Sequence, residues 1–185
     1  SSMYMPKAFH MKNDDKIVQF IQEYPNGMLV CVKDGDPVIN HLPFSLESGL
    51  SQGNRLIAHV AKGNSVWRKF TEPTPATVVF SGPSAYISPS WYAEKQTTHK
   101  VVPTWAYCTV HIKGTLRFTH ETSEKRAIVT TLTDQLEAPR ECPWKVADAP
   151  EDFIETMLRG IVGCSLEISS VTAKWKANQN HTDAN

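Results

Sequence analysis

The sequence has no excess of charge of either sign and no long hydrophobic run. Its 19 Lys and Arg residues equal its 19 Asp and Glu residues, so the formal net charge is zero. A protein that mainly grips nucleic-acid backbone carries a basic excess or a basic face, because each phosphate contact needs a cation. No apolar stretch reaches the roughly 20 residues of a membrane-spanning helix, and the first residues lack the apolar core of a secretion signal. We therefore expect no direct DNA binding, no membrane span and a cytoplasmic location.

Cysteine is scarce and carries no metal-binding pattern. The four cysteines form no Cys-x-x-Cys pair and have no histidine at zinc-finger spacing. Three of them lie in apolar stretches, which is typical of buried, reduced thiols in a cytoplasmic protein. The sequence thus predicts no metal site and no disulfide framework at Cys31, Cys108, Cys142 and Cys164.

The common signatures of catalysis are also missing. There is no P-loop and no Gly-x-Ser-x-Gly elbow, and Ser88 and Ser90 flank a proline instead of a strand-to-helix turn. Five acidic residues fall on or at the ends of predicted helices, where they form solvated faces and not an acid–base pair: Glu121, Glu124, Glu137, Glu151 and Asp152. No catalytic residue is assigned from the sequence.

Hydrophobic periodicity predicts three main helices at about 13–24, 122–137 and 150–161, with apolar residues three and four apart. The first helix begins at acidic residues that suit the positive end of a helix. Their apolar stripes are Ile17, Phe20, Ile21 and Tyr24 in the first helix, Ile128, Leu132 and Leu136 in the second, and Phe153, Ile154, Met157, Leu158 and Ile161 in the third. The stripe of the third helix is predicted to be buried.

About seven strands are predicted between and after these helices. Asp34-Gly35 is a tight-turn signal between two of them. The alternation of the last strand, 164–176, slips once, which indicates a bulge. Since strands and helices do not alternate regularly, a doubly wound parallel sheet is not expected. The pattern favours a mainly β chain, a closed or partly open antiparallel barrel with peripheral helices, forming one domain over 1–185.

One turn has the make-up of a phosphate site. A strand ending at Val60 runs into Ala61-Lys62-Gly63-Asn64, and a short helix is predicted to follow at 65–70. Free amides at a helix start and a lysine charge suit a phosphate. An ordinary capped turn with a solvated lysine explains the same residues, and spacing alone leaves both interpretations open.

Two aromatic clusters and two histidines complete the candidates. The segments 86–92 and 102–107 could stack on a planar ring or pack the core. His41 and His59 could ligate metal or haem if their two strands were adjacent, but no third ligand is evident.

The motifs resemble a known family over nearly the whole chain. They occur in a fixed order and are most distinctive in 82–92 and 102–107. The segments that carry the resemblance are Tyr4-Met5-Pro6-Lys7-Ala8-Phe9, His41-Leu42-Pro43, His59-Val60-Ala61-Lys62-Gly63-Asn64, Gly82-Pro83-Ser84-Ala85-Tyr86-Ile87-Ser88-Pro89-Ser90-Trp91-Tyr92, Val102-Pro103-Thr104-Trp105-Ala106-Tyr107, Gly160-Ile161-Val162-Gly163 and Ala173-Lys174-Trp175-Lys176-Ala177-Asn178-Gln179-Asn180. On these segments, the chain is similar to the PaiB-type FMN-binding negative transcriptional regulators.

The resemblance implies a split β-barrel of the flavin-reductase kind, a homodimer, and FMN bound where the subunits meet. It also implies roles for individual residues. Lys62 and Asn64 would serve the phosphate, His59 and Ala61 would line the approach, the His41-Leu42-Pro43 backbone and Thr104-Trp105 would flank the isoalloxazine ring, Trp91 would close the pocket, and Lys176 and Gln179 would reach in from the partner subunit.

The chain departs from the family pattern at three of these positions. Lys62 stands where the family commonly has arginine, Gly63 where it has alanine, and Ala106 where it has asparagine. Lysine keeps the charge and loses the bidentate geometry. The resemblance implies a flavin-dependent sensor or regulator. A small FMN-dependent oxidoreductase using NAD(P)H and a haem-binding barrel are the alternatives.

Overall fold

The structure is a computed structural model that describes residues 14–88, 99–100 and 102–176. Four α-helices occur in these ranges: α1 (Asp14–Glu23), α2 (Val66–Lys69), α3 (Thr122–Glu137) and α4 (Glu151–Arg159). A 3-10 turn spans Val146–Asp148. The same ranges contain eight strands: β1 (Asn26–Lys33), β2 (Asp36–Pro43), β3 (Ser45–Leu46), β4 (Arg55–Ala61), β5 (Thr74–Ser81), β6 (Ala85–Ile87), β7 (Thr104–Thr119) and β8 (Ile161–Lys176).

The strands form one antiparallel sheet in the order β2-β1-β5-β7-β8-β4-β3. β6 pairs with the first residues of β7, on the edge that β5 uses further along. The strands are joined by hairpins and longer excursions, as the irregular order of helices and strands predicted. The predicted turn at Asp34-Gly35 is present, with φ of 52° and 81°.

The sheet curls without closing. β2 and β4 lie near opposite ends of the strand order, and no backbone pairing joins them among the described strands. A side-chain bond bridges the gap instead, because Asn64 Nδ2, just after β4, donates to Asn40 Oδ1 of β2 at 2.8 Å. The architecture is therefore a split barrel.

One hydrophobic core fills the barrel. Strand alternation sends every second side chain inward, and α1 covers one side with three buried apolar residues, as its stripe predicted. Phe44 and Phe80 meet edge to face, with ring centroids 6.1 Å apart. The largest fully buried side chains are Phe44, Phe80, Ile21, Leu29, Leu56, Ile57, Ile112, Leu116, Leu166, Val66, Val78 and Val110.

The helices α3 and α4 pack with narrower faces than their sequences predicted. Ile128 and Leu132 pack on Ile57 of β4 in a second cluster, and Ile154 and Leu158 form a third with Val146. The expected burial of Phe153 and Met157 is wrong, since they are 56% and 50% exposed, and Leu136 of α3 is 44% exposed. Ile161 was expected to end the last helix. It begins β8 instead, because Gly160 ends α4.

The predicted bulge lies in β8. Lys113 pairs with Ser170 and Gly114 pairs with Ile168, so Ser169 is the extra residue. The strands are so close here that a Cβ on Gly114 would lie 1.9 Å from the Glu167 carbonyl oxygen. Glycine is therefore required at this point by close approach of two backbones.

The cysteines are all free thiols. Cys31 and Cys164 are buried, Cys108 is half-buried and Cys142 is exposed. Burial raises the pKa of Cys31 to about 11 and that of Cys108 to about 12, so both thiols stay protonated at neutral pH. Separately, none of the helices in the described ranges has the length and apolar character needed to cross a membrane.

Candidate functional site

The turn after β4 presents Lys62 at the surface on a fixed backbone. The Lys62 amide donates to the Gly160 carbonyl at 2.8 Å, and the Asn64 amide donates to the Ala61 carbonyl at 2.9 Å. Ala61, Lys62 and Gly63 are all exposed. Since hydrogen bonds hold the backbone on both sides of Gly63, Lys62 extends into solvent from a turn of fixed conformation.

Asn64 uses its side chain to shape this turn. Its Oδ1 accepts from the Val66 amide at 2.9 Å, and its Nδ2 donates to Asn40. One amide hydrogen of Asn64 remains beyond these two bonds. The contact between Asn64 and a phosphate stays a prediction. The structure adds that this residue holds the two sides of the split barrel together.

The helix after the turn is shorter than predicted. α2 has four residues, and Ser65 makes no side-chain cap bond, so the macrodipole contributes little here. Trp67 fixes the element in place, because its indole Nε1 donates to the Lys62 carbonyl at 2.9 Å and its ring meets His120 edge to face at 4.8 Å. Arg68 lies over the same indole ring at 4.6 Å. Lysine and arginine charge, more than a helix end, makes this region attractive to an anion.

The two candidate histidines lie on the outer face of the sheet. Leu42 of β2 and Ala58 of β4 point into the main core, so by alternation His41 and His59 point away from it. Both histidines are exposed, as are Pro43 and Ala61. Partial loss of hydration lowers the pKa of His59. No group of three or more metal-ligating side chains comes together within the described part of the chain.

A second group of predicted residues lies at the start of β7. Trp105 is 56% exposed, and its ring meets that of Tyr86 from β6 at 5.7 Å and 69°. The Thr104 side chain points to the other face and is 4% exposed. Its Oγ1 is buried and has no hydrogen-bond partner among the described residues. A buried hydroxyl left unpaired costs about 1–3 kcal/mol, so this oxygen suits a partner that the described residues do not supply.

Lys176, the last described residue, is next to this second group. It ends β8 directly opposite Tyr107 of β7. Lys174 lies over the Tyr107 ring at 5.7 Å. The predicted site residues Trp91 and Gln179 lie outside the described residues.

The predicted flavin residues therefore form two groups at opposite ends of β7. The contact of Trp67 with His120 places the Lys62 turn beside the C-terminal end of β7, whereas Thr104 and Trp105 begin that strand. β7 has 16 residues. At about 3.3 Å per residue, its ends are on the order of 50 Å apart along the strand path.

Three residues of these groups were missed at the sequence level. Asn40, which accepts from Asn64, was visible as a polar residue between the apolar Val38 and Leu42 on the inward face of β2. Lys125, which donates to the Leu158 carbonyl, was visible as a lysine in line with the buried Ile128 and Leu132 on α3. Tyr86 was noted only as part of an aromatic cluster, and its pairing with Trp105 depends on the β6–β7 register.

Comparison with known proteins identifies the family. Residues 3–170 match the family described as “Putative FMN-binding domain”. The Bacillus subtilis “Protease synthase and sporulation protein PAI 2” is 33% identical over 181 residues, which cover 98% of this chain and 84% of that protein.

Two solved structures share the fold at low identity. The FAD- and haem-binding protein from Mycobacterium smegmatis has a TM-score of 0.66 at 17% identity, with 92% of this chain and 74% of that chain covered. The flavocytochrome Anf3 from Azotobacter vinelandii has a TM-score of 0.61 at 15% identity, with 97% and 76% covered. These likenesses confirm the predicted split-barrel fold. With the match over residues 3–170 and the relative at 33% identity, the chain belongs to the PaiB-type family of FMN-binding domains.

Proposed function

We propose that this protein binds FMN in a site completed by a second copy of the chain, and that it acts as a flavin-dependent sensor or regulator. Membership of the FMN-binding family supports the cofactor. The regulatory role draws on the resemblance to negative transcriptional regulators and on the relative at 33% identity, whose name refers to protease synthesis and sporulation.

The observation that carries the proposal is the exposed Tyr86–Trp105 pair at the start of β7, next in sequence to a Thr104 hydroxyl that has no partner among the described residues. Its oxygen is buried without a partner in the described chain, while Tyr86 and Trp105 next to it are 48% and 56% exposed. The edge of an isoalloxazine ring carries hydrogen-bonding nitrogens and oxygens, and its faces stack on aromatic side chains. A flavin ring would therefore stack on the Tyr86–Trp105 pair, while the Thr104 hydroxyl, on the opposite face of β7, would be satisfied by a polar group on that face.

The Lys62 turn fits the phosphate end of the same cofactor. Lys62 is exposed, and the hydrogen bond from its amide to the Gly160 carbonyl holds its backbone in place. A charge-assisted bond to phosphate forms without reorganising such a turn. Asn64, with one amide hydrogen left, is beside it.

A second copy would bring the two groups together. Since Thr104 and the Lys62 turn are at opposite ends of β7 in one chain, we infer that each flavin is held by Lys62 of one subunit and by Thr104 and Trp105 of the other. The outer face of the sheet offers a surface for this contact. Val30 pairs with Ile39 and Met28 with Val79 on that face, and Val32 and Ile39 are 60% and 51% exposed.

When bound, FMN supplies a ring that accepts and returns electrons. The chain would supply orientation through Thr104 and Trp105 and charge through Lys62. An FMN-dependent oxidoreductase using NAD(P)H stays the alternative. A cytoplasmic location is also proposed, supported by the free thiols.

The first test is the absorbance spectrum of the purified protein after addition of FMN and filtration, with riboflavin as the control. Retained flavin absorbance with FMN supports the proposal. A colourless protein would overturn it, and a Soret band in the protein as purified would favour haem.

Two further assays separate regulator from enzyme. Bleaching of bound FMN by NADH or NADPH would favour the oxidoreductase. Retention of a promoter fragment at physiological salt, lost with a shuffled sequence, would favour direct regulation.

A further inference from the structure

Lys125 is a buried cation that the proposed flavin contacts do not use. It is 6% exposed. Its Nζ donates to the Leu158 carbonyl at 2.6 Å and to the Ile161 carbonyl at 3.3 Å. None of the ion pairs in the described ranges involves it. A buried charge without an opposite charge is costly even when hydrogen-bonded.

The surroundings of Lys125 add positive charge instead of neutralising it. The residue is in the first turn of α3, at the end of a 16-residue helix that carries partial positive charge. Loss of hydration and the nearby charge of Lys62 both lower the pKa of Lys125. The carbonyls at the C-terminal end of α4 offset part of this cost. An anion bound at Lys62 would relieve the remaining repulsion.

Lys125 also holds the segment that fixes Lys62. The residues Leu158 to Ile161 span the junction of α4 and β8, and Lys125 donates to the carbonyls of the first and the last of them. The carbonyl of Gly160, inside the same segment, accepts from the Lys62 amide. The Lys125 side chain and the Lys62 amide therefore both bind this segment, which we call the α4–β8 corner.

We propose that Lys125 is a positioning residue for the phosphate turn. It holds the α4–β8 corner in the conformation that receives the Lys62 amide, and its charge adds to that of Lys62, so that the site prefers a phosphorylated flavin to its unphosphorylated form. This inference rests on the proposed FMN site and deepens it.

The test compares FMN and riboflavin affinities in Lys125→Met by fluorescence titration. Methionine suits a helix and replaces the aliphatic part of the lysine. We expect the Kd for FMN to rise about tenfold while the Kd for riboflavin changes less than about twofold. Should the methionine variant not fold, Lys125→Gln keeps an amide donor without the charge, and at least about a threefold loss of the preference for FMN is expected.

Arg126→Met is the matched control. Arg126 is the neighbouring cation of α3 and also ties this helix to α4, through Glu151 at 2.9 Å, but it does not touch the corner. The FMN affinity of Arg126→Met should equal that of the wild type. Combined with Lys62→Ala, the Lys125→Met change should weaken FMN binding by less than about twofold more, because both act on one contact.

The outcomes are distinguishable. An equal loss of FMN and riboflavin binding in Lys125→Met, or no loss of either, would overturn the role of Lys125 alone. Wild-type protein that binds FMN no more tightly than riboflavin would overturn the proposed phosphate site, and this inference with it.

Discussion

At the scale of single residues, Lys62 is the side chain on which the phosphate assignment depends. It is exposed on a turn that backbone hydrogen bonds hold in place, so its removal leaves no cavity in the core. We expect Lys62→Ala to weaken FMN binding by about 1–3 kcal/mol, the scale of a lost charge-assisted bond, measured by fluorescence titration. Lys69→Ala, at an exposed lysine of α2, is the control and should leave the affinity unchanged. An unaltered affinity in Lys62→Ala would mean that another cation holds the phosphate.

For Thr104 the prediction concerns stability as well as FMN binding, because its hydroxyl has no partner among the described residues. Thr104→Val removes that oxygen and keeps the shape. The free energy of unfolding without flavin should stay the same or rise by about 1 kcal/mol, measured by urea denaturation. FMN affinity should fall roughly threefold to tenfold, the range of one hydrogen bond. A loss of stability in the flavin-free protein would show that the hydroxyl already has a partner.

Two histidines link stability to pH. Loss of hydration lowers the pKa of His59 and His111, and the charge of Lys113 lowers that of His111 further. Below about pH 6.5 the unfolded chain binds protons that the folded chain does not. Stability should therefore be complete above that pH and fall as the pH drops through the folded pKa values. Urea midpoints measured across this range should fall less in His59→Gln/His111→Gln than in the wild type. An equal fall of the urea midpoint with pH in the double variant and the wild type would contradict the link between these histidines and stability.

At the scale of elements, the β7–β8 bulge sets the shape of the sheet. A Cβ at Gly114 would collide with the Glu167 backbone, so Gly114→Ala must move a strand. We expect it to lower the free energy of unfolding by at least about 2 kcal/mol. Gly63→Ala is the matched control, since nothing lies within 4 Å of its Cβ, and it should cost less than about 0.5 kcal/mol. A Gly114→Ala variant as stable as this control would contradict the crowding.

The elements also show what local patterns can predict. The Asp34-Gly35 turn and the bulge of the last strand depend on neighbours in sequence, and the structure confirms both. The exposure of Phe153 and Met157 could not be predicted, because an apolar stripe indicates only that a helix has a face that can be buried. How much of the face is covered depends on what the rest of the chain places against it. For α4 that is a narrow strip of α3 and the 3-10 turn.

At the scale of the whole molecule, the sequence predicts candidate residues for the site but not where the fold places them. The turn at Lys62 and the Thr104-Trp105 segment were identified from motifs. That they lie at opposite ends of β7 follows from strand register, which no local pattern contains. The role of Asn40 likewise depends on the curl of the sheet that brings β2 to Asn64. Long-range pairing decides both.

The measurement that tests the account most directly is flavin binding by a mixture of two defective variants, Lys62→Ala and Trp105→Ala. If each site takes Lys62 from one subunit and Trp105 from the other, mixed dimers contain one intact and one doubly altered site. An equal mixture, unfolded and refolded together, should then regain about a quarter of the wild-type high-affinity FMN sites, although neither variant alone has any. A mixture that regains none would contradict a site shared between subunits.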